Sequence, residues 1–159
     1  MTIITIEEAR HHLRVEPDYP QEQVLQYLEG AEALAQQFLN RRVFASQAEL
    51  DGARQAMPAA LEAAALARDQ AIANAAELTD CAARDMLKAL ANDAYSAVLA
   101  EQRRIALGMV ITPNVKSAVL LTLGHLYDNR ETVVVGTIST DLDMGAYTLL
   151  WPSRVGLGV

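Results

Sequence analysis

The chain has 159 residues, 52% of them apolar and 5% aromatic, with a formal net charge of −7. That length suits one domain and that apolar fraction can fill a core, while the acidic balance argues against a protein whose main task is gripping nucleic acid, which needs a basic face. One cysteine, Cys81, excludes a disulfide within the chain and fits a reducing compartment; the opening MTIITIEEAR carries no signal-peptide pattern, and no apolar stretch reaches the roughly 18–20 residues of a membrane span.

Alanine is very abundant and loses no side-chain entropy in a helix, so the fold class expected is all-α, a small helical bundle. Thr5 with Glu8 three residues on has capping-box spacing and predicts a helix over 6–13. Pro17 breaks it. Asp18, Pro20 and Gln21 read as a second start, for a helix over 20–39. There Val24, Leu28, Ala31, Ala35 and Phe38 alternate steps of three and four, with Leu25 and Leu39 beside them. Asn40 suits the C-terminal stop, and Arg41 and Arg42 sit where the helix dipole favours cations.

Residues 45–108 differ in composition. The stretch 45–56 is polar and gives no clear element. Pro58 reads as the opening of an Ala-dense helix to 76. Thr79 and Asp80 then cap a helix over 82–107, ending at Gly108, with an apolar stripe of Leu87, Leu90, Ala91, Ala94, Val98 and Ile105. Two such helices on a short turn predict an antiparallel hairpin. Alanine gives each residue little area to bury, so the hairpin is expected to need a neighbour.

Thr112 and Pro113 mark an N-cap and first turn, for a helix over 113–130 that is apolar on nearly all sides. The β-branched run from Thr132 to Thr140 predicts an extended arm over 132–144. A short helix over 145–151 follows, stopped by Pro152, and the glycine-bearing tail 153–159 is expected to be flexible. The expected core centres on Leu13, Leu25, Leu28, Phe38, Val119, Leu123 and Leu126.

Candidates for chemistry are few. His11 and His12 are adjacent, so on a helix they diverge by about 100° and cannot share a metal. His125 reads as a core or interface histidine, and Cys81 as an ordinary thiol at a helix start. Asp141 and Asp143 lack an EF-hand frame. No Walker loop, GxGxxG, HExxH or CxxC occurs. The sequence therefore gives no catalytic, cofactor-binding or metal-binding residue, and no enzyme is expected.

Two separated segments resemble the head–tail connector (head-completion adaptor) family of tailed phages. The first runs from "LRVE" through "PDYPQEQ" to "FLNRRVF", residues 13–44; Leu39-Asn40-Arg41 stands where members typically have a Thr-Gly-Arg-like end, and Arg41 is kept. The second is "ITPNVKSAVLLTLGHLYDNRE", residues 111–131, followed by "LLWPSRV", residues 149–155. Its most specific part is Tyr127, Asn129, Arg130 and Glu131, then Leu149, Leu150, Pro152 and Arg154. The segments cover a little over half the chain, and together they make a single connector domain of core 1–44 and 109–159 with a helical insertion at 45–108.

The resemblance implies a structural virion protein of the neck. It would form a ring homo-oligomer, commonly a dodecamer, between portal protein and a tail-side stopper or tail-completion protein. DNA would pass through the channel without sequence-specific binding. The expected interface residues are Arg41, Tyr127, Asn129, Arg130, Glu131 and Arg154 from the matching motifs, Trp151 beside them, and Val133, Val135 and Ile138 from the β-branched arm. Arg130 is expected to pair with a carboxylate, and the arm, through Val133, Val135 and Ile138, to add a strand on docking. The alternative is a helical scaffold or chaperone-like interaction module; a DNA-binding regulator would need a basic recognition helix, which is missing.

Overall fold

The computed structural model describes residues 2–16, 18–129 and 143–156. Of these, 78% are helical, in six α-helices with a two-strand sheet beside them, so the chain is an all-α protein. It divides into two compact units, residues 1–47 with 109–159, and residues 48–108.

In the first unit, α1 (Ile6–Leu13) starts at the expected capping box. The Glu8 amide donates to Thr5 Oγ1 (3.3 Å), and the Thr5 amide donates to Glu8 Oε2 (3.4 Å). It stops at Arg14, held in the left-handed region at φ 53°. Helix α2 (Gln21–Leu39) has Pro20 at its N-cap and no side-chain hydrogen bond there. The expected Asp18–Gln21 cap is thus replaced by a proline, whose preset φ suits the entry into a helix. Asn40, also left-handed at φ 53°, ends α2 as predicted.

Helix α5 (Pro113–Asp128) begins on Thr112, whose hydroxyl accepts the Val115 amide. It ends two residues earlier than predicted, because the Asn129 amide and side chain both bond the His125 carbonyl and close the last turn. Helix α6 (Asp143–Leu150) starts two residues before the predicted point and takes in the last two residues of the expected arm. A 3₁₀ turn (Trp151–Ser153) follows it, with Pro152 inside. The remaining arm residues, 132–142, lie outside the described residues, as do 157–159 of the tail.

The core forms where α2, α5, α6 and α1 meet. Val24, Leu28, Leu39, Val115, Val119 and Leu123 are fully buried. The period of the α2 stripe thus put Leu28 inside, and Leu13, Phe38 and Leu126 pack on the core from half-buried positions. Leu25, expected at the centre, is only half-buried; Val24 holds that place. Ile4, ahead of α1, is a core residue with no periodic signal around it.

Between α2 and the second unit lies β1 (Val43–Phe44), which pairs in parallel with β2 (Met109–Val110), Val43 facing Met109 and Phe44 facing Val110. The Met109 amide donates to the Arg42 carbonyl (3.0 Å) and the Ile111 amide to the Phe44 carbonyl (2.9 Å). Two residues per strand are too few for an alternating pattern to announce them.

The second unit holds α3 (Gln47–Ala76) and α4 (Cys81–Ala106). Helix α3 begins well before the predicted 58, and Pro58 stands inside it. Ser46 and Glu49 supply the capping-box spacing that marks this start. Pro58 removes one amide and crowds the carbonyl four residues back, at a cost of about 3 kcal/mol. Its exposed position leaves that side of the turn to water, and the alanines around it carry the helix on. Helix α4 starts on Asp80, whose carboxylate accepts the Ala83 amide (2.8 Å). The two helices run antiparallel: Arg54 Nη2 donates to the Ala106 carbonyl (3.0 Å), and the Arg68 guanidinium lies 4.5 Å from the Tyr95 ring centroid.

The predicted apolar stripe of α4 is split. Ala91 is buried and Val98 and Ile105 half-buried, with Arg84, Lys88 and Tyr95 on the same side, whereas Leu87, Leu90 and Ala94 are exposed. The long stems of arginine, lysine and tyrosine do the covering that was assigned to leucine.

Candidate functional site

The two segments that carry the family resemblance meet at the C-terminal end of α2. The Val155 amide donates to the Leu39 carbonyl (3.0 Å), Asn40 Nδ2 to the Val155 carbonyl (3.4 Å), and Arg41 Nη1 to the Ser153 carbonyl (3.2 Å). Asn40 and Arg41 thus join residues more than a hundred positions away. A helix C-terminus leaves carbonyls without partners, and here the returning chain supplies donors to that end.

Around this joint sits an aromatic cluster. The Phe38 ring is 4.6 Å from Tyr147 and 6.1 Å from Trp151, centroid to centroid. The Arg154 guanidinium lies 4.9 Å from the Phe38 centroid and 5.7 Å from that of Trp151. Its Nε is buried with no hydrogen-bond partner among the described residues, so the electron-rich ring faces take the place of a hydrogen-bonding acceptor there.

Although packed together, these groups leave a large apolar area open. Trp151 is 54% exposed, Tyr147 42% and Leu34, one turn before Phe38, 49%. Residues 33–42 and 145–156 hold three arginines, Arg41, Arg42 and Arg154, and no acidic residue. This is an aromatic surface bordered by half-buried arginines. Trp, Tyr and Arg on a rigid joint are the side chains that most often anchor protein interfaces, because each covers much area at little entropic cost.

Of the predicted interface residues, the structure brings Arg41, Trp151 and Arg154 into this cluster. Tyr127 and Asn129 do different work. Tyr127 meets Tyr19 (5.7 Å) and Tyr27 (6.0 Å) edge-on and locks the start of α2 to the end of α5, and Asn129 closes α5 against His125. Arg130, Glu131, Val133, Val135 and Ile138 lie outside the described residues. Sequence reasoning missed Leu34, Phe38 and Tyr147 as parts of a surface. The signal was present: Leu34 with Phe38, and Tyr147 with Trp151, are each one helical turn apart.

A second missed residue is Glu32, buried at 5% exposure on the core face of α2. One carboxylate oxygen accepts both the Ile3 amide (2.8 Å) and the Ile4 amide (2.9 Å), tying the N-terminal segment to the core. Burial pushes its carboxyl above the usual carboxylate range, while the two amide bonds pull the other way. At the surface, the Lys116 ammonium holds the Glu8 carboxyl below its ordinary value.

Cys81 is exposed at the start of α4, and His11 and His12 are exposed on α1. Among the described residues no group of three or more His, Cys, Asp or Glu is placed to hold a metal ion, and no helix is long and apolar enough to cross a membrane. No protein-family model matches the chain, and neither a curated protein nor a solved structure does.

Proposed function

We propose that this chain is a structural subunit of a phage neck, a head–tail connector that forms a ring between portal and tail and works by docking, not by catalysis. The observation that supports it best is the joint just described. The ends of two segments that carry the resemblance, "FLNRR" in 13–44 and "LLWPSRV" at 149–155, fold against each other beside the exposed Leu34, Tyr147 and Trp151. A surface of that composition is a docking surface. In this reading the portal or the tail-side protein covers Trp151, Tyr147 and Leu34.

The test is negative-stain microscopy of the full chain mixed with its cognate portal, wild type beside Trp151→Ala and Tyr147→Ala. Ring density below the portal is expected for wild type, with occupancy reduced at least tenfold in the variants. Absence of any density with wild-type protein at saturating concentration refutes the connector reading. Equal density for all three chains keeps the ring but removes this surface from the contact.

A further inference from the structure

The turn end of the α3–α4 hairpin presents large apolar side chains to solvent. Met86 is 65% exposed, Leu90 52%, Leu87 44% and Leu78, in the turn itself, 38%. On α4 they belong to a stripe. Ala83, Met86, Leu87, Leu90, Ala94 and Ala97 are all exposed, recur at steps of three and four, and fall within about 100° of the helix circumference. The side that α4 turns into the hairpin is a different one, built from Lys88, Ala91, Tyr95 and Val98. The stripe is bulky over its first two turns and small over the next two, where alanine lets the axis of another helix come close.

Charge over the same stretch is sorted by side. From Glu77 to Ala97 there are four carboxylates, Glu77, Asp80, Asp85 and Asp93, and each is exposed. The two cations of that stretch, Arg84 and Lys88, are half-buried toward the inner face. Asp80 caps α4 through the Ala83 amide. The carboxylates of Glu77, Asp85 and Asp93 have no hydrogen-bond or ion-pair partner among the described residues. Asp93 borders the stripe, Asp85 lies further round on the outer side, and Glu77 stands beyond its N-terminal end. The result is an exposed apolar stripe with an acidic rim whose own cations face away from it.

We infer that this face of α4 docks a cationic amphipathic helix of another protein. Apolar side chains of that helix cover Met86, Leu87 and Leu90, and its lysines or arginines meet Asp93, Asp85 and Glu77. Steps of three and four match a helix, since an extended strand repeats every second residue. The apolar contacts hold the partner and the rim selects its charge. Two copies meeting through this face would set carboxylate against carboxylate, and nucleic acid or an anionic lipid surface would meet the same repulsion. From Ala83 to Ala97 the face runs about 21 Å, so the partner helix engages over about four turns. The inference concerns the hairpin alone and does not depend on the neck reading.

The test uses the full-length chain and an end-blocked peptide of about 18 residues, with leucine at steps of three and four and lysine on the flanks, followed by fluorescence anisotropy. One control peptide carries glutamate in place of lysine; another has the same composition with its leucines spread round the helix. Saturable binding of the lysine peptide is expected, with both controls weaker by about tenfold or more. Met86→Gln with Leu90→Gln should weaken it by about tenfold without altering charge. Asp85→Asn with Asp93→Asn should weaken it by about threefold and flatten its dependence on salt. All four positions are exposed, so these variants should keep their helicity, which circular dichroism checks. Equal binding of the lysine and glutamate peptides overturns the proposal, and so does no binding of the lysine peptide. Binding untouched by Met86→Gln with Leu90→Gln lies elsewhere on the chain and overturns it too. Self-association of the chain alone that those two substitutions abolish means a second copy covers this face, which also overturns it. Ring density under the portal tests the neck reading separately.

Discussion

Glu32 offers the sharpest test of how the N-terminal segment is held. Truncation by Glu32→Ala leaves the Ile3 and Ile4 amides without their acceptor, at about 1–3 kcal/mol for each buried donor. Against this stands relief from burying a carboxylate, which the upward shift of its pKa shows to be unfavourable. A net loss of about 2–4 kcal/mol near neutral pH follows. Glu32→Gln keeps one carbonyl oxygen for both amides and removes the charge, so it should stay within about 1 kcal/mol of wild type. The pH dependence has a definite sign. The folded chain binds the Glu32 proton more tightly than the unfolded chain, so this stabilisation is full below the ordinary carboxyl value and is lost as pH rises through the raised one. Glu32→Gln should therefore gain on wild type as pH rises across that window. Urea unfolding read by the fluorescence of Trp151, the one tryptophan and part of the same unit, measures this. A loss in Glu32→Gln as large as in Glu32→Ala would refute the reasoning, since the charge and not the acceptor would then be what holds the segment.

Leu28→Ala should cost about 2–5 kcal/mol in the same assay, because the side chain is fully buried; a change near zero contradicts the packing of α2. Gly52→Ala should raise the stability of the hairpin by about 1 kcal/mol, since an added Cβ meets nothing within 4 Å and the site is helical; a lower melting temperature by circular dichroism would speak against a continuous α3. Arg14→Gly should stabilise by about 0.5–1 kcal/mol, as glycine adopts φ 53° without the clash an arginine Cβ meets there. Loss of stability instead would give the Arg14 side chain a role at the end of α1.

What the sequence made legible was local. Thr5 with Glu8, Thr112 with Pro113, and Asn40 mark their helix ends because each cap needs only neighbours within one turn. The start of α3 was equally local, at Ser46 and Glu49, but the weight given to Pro58 hid it; a proline inside a long alanine helix costs less than the many favourable residues around it supply. Nonlocal features were harder. Glu32 interrupts an apolar stripe at a core position, which signals a buried acceptor but not which amides it serves. The meeting of Arg41 with Ser153, and of Phe38 with Tyr147, depends on how α2, α5 and α6 pack, and no periodicity encodes that. The split stripe of α4 arose because Ala, Leu, Lys and Tyr all can line a helix seam, so apolarity alone did not select the inward side.

The parallel pair of β1 and β2 has a kinetic meaning of its own. Residues 45–108 leave the first unit at Phe44 and return beside it at Met109. That excursion is itself a folded antiparallel hairpin, so the junction does not have to close a flexible loop of that length. The two-residue ladder is a small contact, and the burial of Val43, at 5% exposure, backs it. The amides of Met109 and Ile111, bonded to Arg42 and Phe44 in so short a ladder, are expected to exchange before those of the core helices. Their exchange with solvent reads out the junction separately from the core below it.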